Sequence, residues 1–345
     1  MKNEETNRTF IIAEAGVNHN GNVQFAYRLV DAAVNCGANA IKFQTFKTEK
    51  IISKNVAKAQ YQRDNTSQDE SQFEMIKKLE LSYNDFISIK HYCDEKQIIF
   101  LSTPDEEESL DFLCDVINVP YIKVGSGEIT NLPFLKRVAS KNKPIILSTG
   151  MAYIGEVEKA LDTIYSTNNN ANVILLHCTT NYPTPYEEVN LRAMLTLREA
   201  FKLPVGYSDH TNGIEIPVAA VALGACIIEK HFTLDRNMQG PDHKASLEPD
   251  DFERMVRTIR NVEDALGNGI KRPTKSEEEM KNVVRKKLVA TQNLERGEII
   301  KLSDVALKRS NIGLSPEFLD IIVGKKLVKE IKEDEGFTWS HFMEE

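Results

Sequence analysis

The chain of 345 residues predicts an α/β protein: a parallel (β/α)8 TIM barrel followed by a small β-rich C-terminal domain. Two observations point there. Eight short apolar runs alternate with helical patterns as far as about residue 270, and the tail 285–345 repeats a short motif of its own.

The runs lie at 10–13, 40–43, 98–101, 121–124, 144–147, 173–176, 204–206 and 225–228. Each is short and mostly apolar, as a strand buried on both faces must be. Between them, segments such as 23–34, 83–95 and 154–166 carry apolar residues at helical spacing. A doubly wound open sheet shares this alternation, but the count of eight favours a closed barrel. The second connection is long: a polar stretch, 45–70, precedes the helix starting near Tyr83, and long loops at a barrel top serve as lids. Residues 1–270 are assigned to the barrel. The charged, Gly- and Pro-containing stretch GNGIKRPTKSEEE leads into a linker, 271–284. In 285–345, Lys286-Lys287-Leu288-Val289 with Gly297 is echoed by Lys325-Lys326-Leu327-Val328 with Gly336. Two related β-arches in a pseudo-symmetric module are expected.

A net charge of −8 argues against nucleic acid or an anionic membrane as the main partner. The polar N-terminus, residues 1–9, has no signal-peptide core, and the longest apolar run, 216–228, is too short to span a bilayer. Five scattered cysteines without a C-x-x-C pair read as buried free thiols. A cytoplasmic protein is expected.

In a TIM barrel, chemistry sits just past the C-terminal strand ends. Here every such end is polar: Glu14 and His19 after the first run, Lys42 and Gln44 after the second, Ser102-Thr103 after the third. Lys123 and Gly125-Ser126-Gly127-Glu128 follow the fourth, Ser148-Thr149-Gly150 the fifth, and His177 with Thr179 and Thr180 the sixth. Ser208-Asp209-His210 and Glu229-Lys230-His231 end the last two. Charges this dense are costly to bury unless they serve a site. Lys42 and Lys123, with the two small-residue turns, suit a phosphate. His210 and His231 end neighbouring strands and can share one divalent ion; nitrogen and oxygen donors without thiolate fit Mn²⁺, with Mg²⁺ or Co²⁺ as alternatives, better than structural zinc. Plainer readings stand beside these. The lysines could be ion-pair partners of Glu14 and Glu128, or Lys123 a Schiff-base lysine. The histidines could be hydrogen-bonded core residues.

Taken together, AEAGVNHNG (13–21), IKFQTF (41–46), LSTP (101–104), KVGSGE (123–128), ILSTGM (146–151), LHCTTNYPTP (176–185), GYSDHT (206–211), EKHFT (229–233) and GPDHKASLEP (240–249) resemble the sialic acid synthase family. The tail is similar to the antifreeze-like (SAF) domain that ends these synthases.

The resemblance implies a reaction. Phosphoenolpyruvate condenses with the aldehyde of an open-chain N-acylated mannosamine-type sugar, and phosphate leaves by C–O cleavage. It implies Lys42, Lys123, Ser126 and Ser148 for phosphoenolpyruvate, a metal on His210 and His231, and Glu14 as acid/base, with Glu128 and Gln44 as second candidates. Asn65, Tyr182 and Asp242 match sugar-contacting positions. It further implies a homodimer with swapped SAF domains, in which Arg309 of one protomer reaches the N-acyl group in the other's barrel. Ser310 stands where the family has a proline, and Asp105 where an aromatic commonly follows the STP turn. The long GPDHKASLEP segment is closest to legionaminate synthases, whose sugar is 2,4-diacetamido-2,4,6-trideoxymannose; N-acetylneuraminate synthesis from N-acetylmannosamine and a metal-dependent pyruvate aldolase are the alternatives.

Overall fold

The computed structural model describes residues 8–54, 56–58, 60–66 and 70–343. Residues 1–7, which carry most of the N-terminal reading, lie outside the described residues. The chain divides into two compact units, Met1–Gly267 and Asn268–Glu345.

The first unit holds eight parallel strands: β1 Phe10–Gly16, β2 Ala40–Thr45, β3 Ile99–Pro104, β4 Ile122–Val124, β5 Ile145–Ser148, β6 Val173–His177, β7 Val205–Asp209 and β8 Ile227–His231. Their order is β3-β2-β1-β8-β7-β6-β5-β4. That is chain order cut once, between β3 and β4, and those two strands lie side by side. An open doubly wound sheet would reverse order at its middle, so this is the TIM-like barrel. Several strands run on past the apolar runs into polar residues. The ladder continues because those side chains are buried at the barrel mouth.

Helices Val23–Asn35, Tyr83–Glu95, Leu132–Ser140, Ile154–Thr167, Arg192–Phe201, Glu215–Ala222 and Pro249–Leu266 pack outside. Side chains on alternate positions face opposite ways. Ile11, Ile41, Phe43, Phe100 and Leu147 meet the helices, whereas Ile12, Leu101, Ile146, Ile174, Leu176 and Ile227 fill the barrel. The long second connection carries helices Thr48–Ile51, Gln60–Asn65 and Gln72–Leu79. Ser71 caps the last of these through a reciprocal bond with Glu74.

In the second unit, the segment read as a linker contains a helix, Lys275–Val284. Thr274 and Glu277 form its capping box, a local signal sufficient to start a helix in a charged stretch. The first KKLV motif lies in strand β9, Lys286–Ala290, which pairs antiparallel with β10, Val305–Arg309. The second forms only bridges, yet Leu288 and Leu327 share one core with Leu294, Ile331 and Phe337. Leu294 and Ile331 exchange two backbone hydrogen bonds, at 2.9 and 3.0 Å. Gly336 allows a backbone crossing there: a Cβ on it would lie 1.9 Å from the Ile312 carbonyl oxygen.

Candidate active site

Strand alternation puts Lys42 and Gln44, Ser208 and His210, and Glu229 and His231 on the inner face, just above the apolar filling. Glu14 stands in register with Lys42 on one side and His231 on the other. Asp209 and Lys230 take the opposite face and pair there at 2.5 Å, fully buried. The inward residues line a cavity of about 180 Å³ with Asp105, Lys123, Ser126, Ser148 and Tyr182.

One half of this cavity is a charge cluster. Lys42 Nζ contacts Glu14 Oε2, donates to Thr103 Oγ1 at 3.1 Å, and lies 3.7 Å from Glu229 Oε2. Lys123 Nζ donates to Ser148 Oγ at 2.8 Å and lies 3.5 Å from Glu229 Oε1. Ser208 Oγ donates to the same Glu229 oxygen at 3.0 Å. Burial alone would raise Glu229, but Lys123 and Lys42 outweigh it and hold the carboxyl down at about 2. Burial, reinforced by Glu229, raises Glu14 to about 7 despite Lys42. Burial likewise raises Asp105 to about 7. Burial disfavours the Lys42 ammonium, yet Glu14 and Glu229 together raise its pKa. With Glu229 as the firmly ionised carboxylate between two lysines, the cluster suits an anion.

The other half holds the histidines. The His210 and His231 rings are 5.4 Å apart, and Tyr182 packs on His210 at 4.2 Å. Thr179 O accepts from His210 Nδ1 at 2.6 Å, which leaves Nε2 with its lone pair. His231 Nδ1 is buried without a hydrogen-bond partner. Burial lowers the pKa of both rings, that of His231 well below the ordinary value. Two neutral imidazoles, one with a fixed tautomer, make a suitable donor pair for a divalent ion.

The remaining predicted residues fall on both sides of the line. Ser126 accepts from the Gly150 N–H at 3.2 Å and lies 3.2 Å from Cys178 Sγ, which ties the two small-residue turns together. Burial raises the Cys178 thiol, in keeping with an unreactive role. Asp242 is buried, and burial raises it to about 6; a Cβ on Gly16 would lie 3.7 Å from its Oδ2 and 3.0 Å from Glu14 Oε1. Asn65 does not line the cavity; its Nδ2 donates to Pro241 O at 3.2 Å, next to Asp242. Glu128 also lies outside the cavity lining and accepts from Asn131 Nδ2 at 2.6 Å. The reason is local: β4 ends at Val124, and the 3-10 turn Ser126–Glu128 replaces the period of two by a period of three. In the plainer reading of Lys123 as an ion-pair partner, the carboxylate beside it is Glu229 and not Glu128. Arg309 belongs to the second unit, exposed at the end of β10.

The part the strand-end reading missed is the role of Glu229. Its spacing of two from His231 was the available signal. Only closure of the barrel, which sets β8 across from β2 and β4, reveals its partners.

The NeuB family matches residues 29–271 and the SAF domain family matches residues 285–343. The chain is 50% identical to N,N'-diacetyllegionaminic acid synthase of Campylobacter jejuni over 95% of its own length and 98% of the relative's. It is 45% identical to the enzyme of that name from Legionella pneumophila, over 96% and 94%. The crystal structure of N-acetylneuraminic acid (sialic acid) synthetase from Leptospira borgpetersenii, in complex with citrate, superposes with a TM-score of 0.71 at 36% identity, covering 79% of this chain and 90% of that one. A buried two-lysine cleft at the mouth of a TIM-like barrel, matched in sequence along nearly the whole chain, makes this protein a member of the NeuB family of sialic acid synthases, enzymes that condense phosphoenolpyruvate with an acylated hexosamine.

Proposed function

We propose that the chain condenses phosphoenolpyruvate with 2,4-diacetamido-2,4,6-trideoxymannose to give N,N'-diacetyllegionaminate and inorganic phosphate. The observation that carries the reaction is the pair of buried lysines sharing Glu229, at 3.7 and 3.5 Å, beside two neutral histidines. The observation that favours this sugar is the 50% and 45% identity to two N,N'-diacetyllegionaminic acid synthases.

In this reading Lys42, Lys123, Ser126 and Ser148 hold the phosphate and carboxylate of phosphoenolpyruvate. The enol C3 attacks the sugar aldehyde, forming the new C–C bond. Glu14, raised to about 7, is partly protonated at neutral pH and gives its proton to the aldehyde oxygen. Water adds at C2 and returns a proton to Glu14. The C2–O bond to phosphate then breaks, leaving the 2-keto acid and phosphate. Gln44 lies beside Glu14 and orients the reacting oxygens; Glu128, outside the cavity lining, holds Asn131 instead.

His210 and His231 would hold the divalent ion, Mn²⁺ in preference to Mg²⁺ or Co²⁺, which polarises the aldehyde when bound. Among the described residues no group of three His, Cys, Asp or Glu gathers there, so water and substrate would complete the shell. Tyr182, Asp242 and Asn65 are assigned to the sugar, and Arg309 is contributed by the second protomer of a swapped homodimer. No described helix is long and apolar enough to cross a membrane, and the placement in the cytoplasm follows from the sequence reading.

Phosphate release is measured with phosphoenolpyruvate, Mn²⁺ and a panel of hexosamines. The 2,4-diacetamido-2,4,6-trideoxymannose should give the highest kcat/KM. A higher value with N-acetylmannosamine would reassign the chain to N-acetylneuraminate synthesis. Turnover with pyruvate and no phosphate release would indicate an aldolase.

A further inference from the structure

We infer that His243 and Asn20 form a positioning bridge that sets the acceptor sugar's contact at Asp242, outside the catalytic cleft itself. The inference rests on the reading that Asp242 faces the sugar.

The loop after β8 carries Asp242, and the loop after β1 follows directly on Glu14 and Gly16. The two loops are far apart in sequence, yet side chains stitch them together. His243 Nε2 meets Asn20 Oδ1 at 3.1 Å, and His243 Nδ1 meets Thr233 Oγ1 at 2.7 Å. An amide oxygen only accepts, so Nε2 carries the proton and Nδ1 accepts from the Thr233 hydroxyl. Burial lowers His243 to about 4, which keeps this neutral tautomer in place at physiological pH. Asn20 Nδ2 donates to Gln239 O at 2.9 Å, so one amide grips both ends of the segment 239–243. Gly240 leaves the space for this grip: a Cβ there would lie 2.7 Å from His243 Cδ2 and 2.9 Å from Asn20 Oδ1.

The Asp242 backbone is tied to the same loop after β1 through Ser246. Its carbonyl accepts from Ser246 Oγ at 2.6 Å, and Asn18 Nδ2 donates to Ser246 Oγ at 3.0 Å. None of these hydrogen bonds takes the Asp242 carboxyl, which is buried near Glu14 and Gln44 and is left for a ligand. A side chain whose reach must match a sugar hydroxyl or amide tolerates little displacement. The bridge fixes that reach by tying the loop of the sugar contact to the loop of the acid/base residue. The expected effect is on the acceptor, because Lys42, Lys123 and Ser148 sit on other strands and do not touch the bridge.

The test compares steady-state kinetics of the full-length enzyme and the variants H243A, H243Q and D242N, with Mn²⁺ present and each substrate varied in turn. H243A should raise KM for the acceptor sugar about tenfold, the size expected for one buried hydrogen bond and the slack that follows, with KM for phosphoenolpyruvate within about twofold. H243Q, whose amide N–H replaces Nε2–H toward Asn20, should recover most of the loss. Thermal melting of each variant separates loss of folding from loss of positioning. If D242N raises the acceptor KM and H243A at a native melting temperature does not, the bridge is overturned and the sugar contact survives. If H243Q is as impaired as H243A, the bridge is also overturned. If D242N leaves the acceptor KM unchanged, the underlying reading of Asp242 fails instead. Should H243A prove unfolded, N20A with N20D as its conservative control asks the same question; an unchanged acceptor KM in folded N20A overturns the bridge.

Discussion

Lys123 and Glu229 face each other across the barrel mouth at 3.5 Å, and Glu229 is the same carboxylate that stands 3.7 Å from Lys42. Two buried cations thus share one firm counter-charge, an arrangement poised to take a second anion.

Removal of that counter-charge should expose the poise. In E229Q Lys123 loses its carboxylate partner and Lys42 keeps only Glu14, and breaking a buried pair typically costs about 3–5 kcal/mol. The melting temperature should fall in buffer and recover in part with millimolar phosphate, which supplies the missing charge. A variant that melts like the parent, or gains nothing from phosphate, would contradict the shared counter-ion.

The protonation of Glu14 predicts a pH effect with a definite sign. Its folded pKa, about 7, lies above its ordinary 4.5, so its contribution to stability is present below pH 4.5 and lost as pH rises through 7. Asp105, also at about 7, acts in the same direction. The buried histidines His210, His231 and His243, which burial lowers, drift the opposite way, so the Glu14 share is read as a difference: the ligand-free parent should lose stability relative to E14Q as pH rises from about 4.5 to 7. In kinetics, the break near pH 7 in kcat/KM should vanish in E14Q and persist in D105N. A break that survives in E14Q would take the acid/base role away from Glu14.

Chelation tests the histidine pair. Activity should be lost in EDTA and return with Mn²⁺, and H210A or H231A should each lower kcat by at least about a hundredfold. Mn²⁺ should also raise the melting temperature of the parent and leave that of the variants unchanged. Full activity in EDTA would return both rings to a structural role.

The proposed swapped dimer predicts complementation. E14Q and R309A homodimers should each be nearly inactive, because every site lacks either its acid or its partner's arginine. Co-refolded mixtures should regain activity, up to about a quarter of the parent, as half the dimers then carry one intact site of two. Mixtures no more active than their components would place Arg309 outside the site.

The outward pair Lys230–Asp209 makes a contrasting prediction about stability. Both side chains are wholly buried between barrel and helices and lie away from the cleft. K230A should destabilise by about 3–5 kcal/mol in urea unfolding, since it strands a buried carboxylate. The double change K230M/D209L should be far less destabilised. Equal losses in the single and double variants would mean that packing, not charge, is what matters there.

Much of this molecule was legible in the chain itself. The eight runs, the polar strand ends and the spacing of Lys42 with Gln44 are consequences of covalent alternation, which places residues two apart on one face of any strand. The capping pairs Ser71 with Glu74 and Thr274 with Glu277 are equally local. Tertiary structure decided the rest. Strand alternation lapses after Val124, so Glu128 turned out of the cleft. Glu14 and Glu229 are chemically the same side chain, yet burial raises one to about 7 while two lysines hold the other at about 2. That difference depends on which strands meet across a closed barrel and how completely they exclude water. Those are distances in space, and spacing along the chain does not contain them.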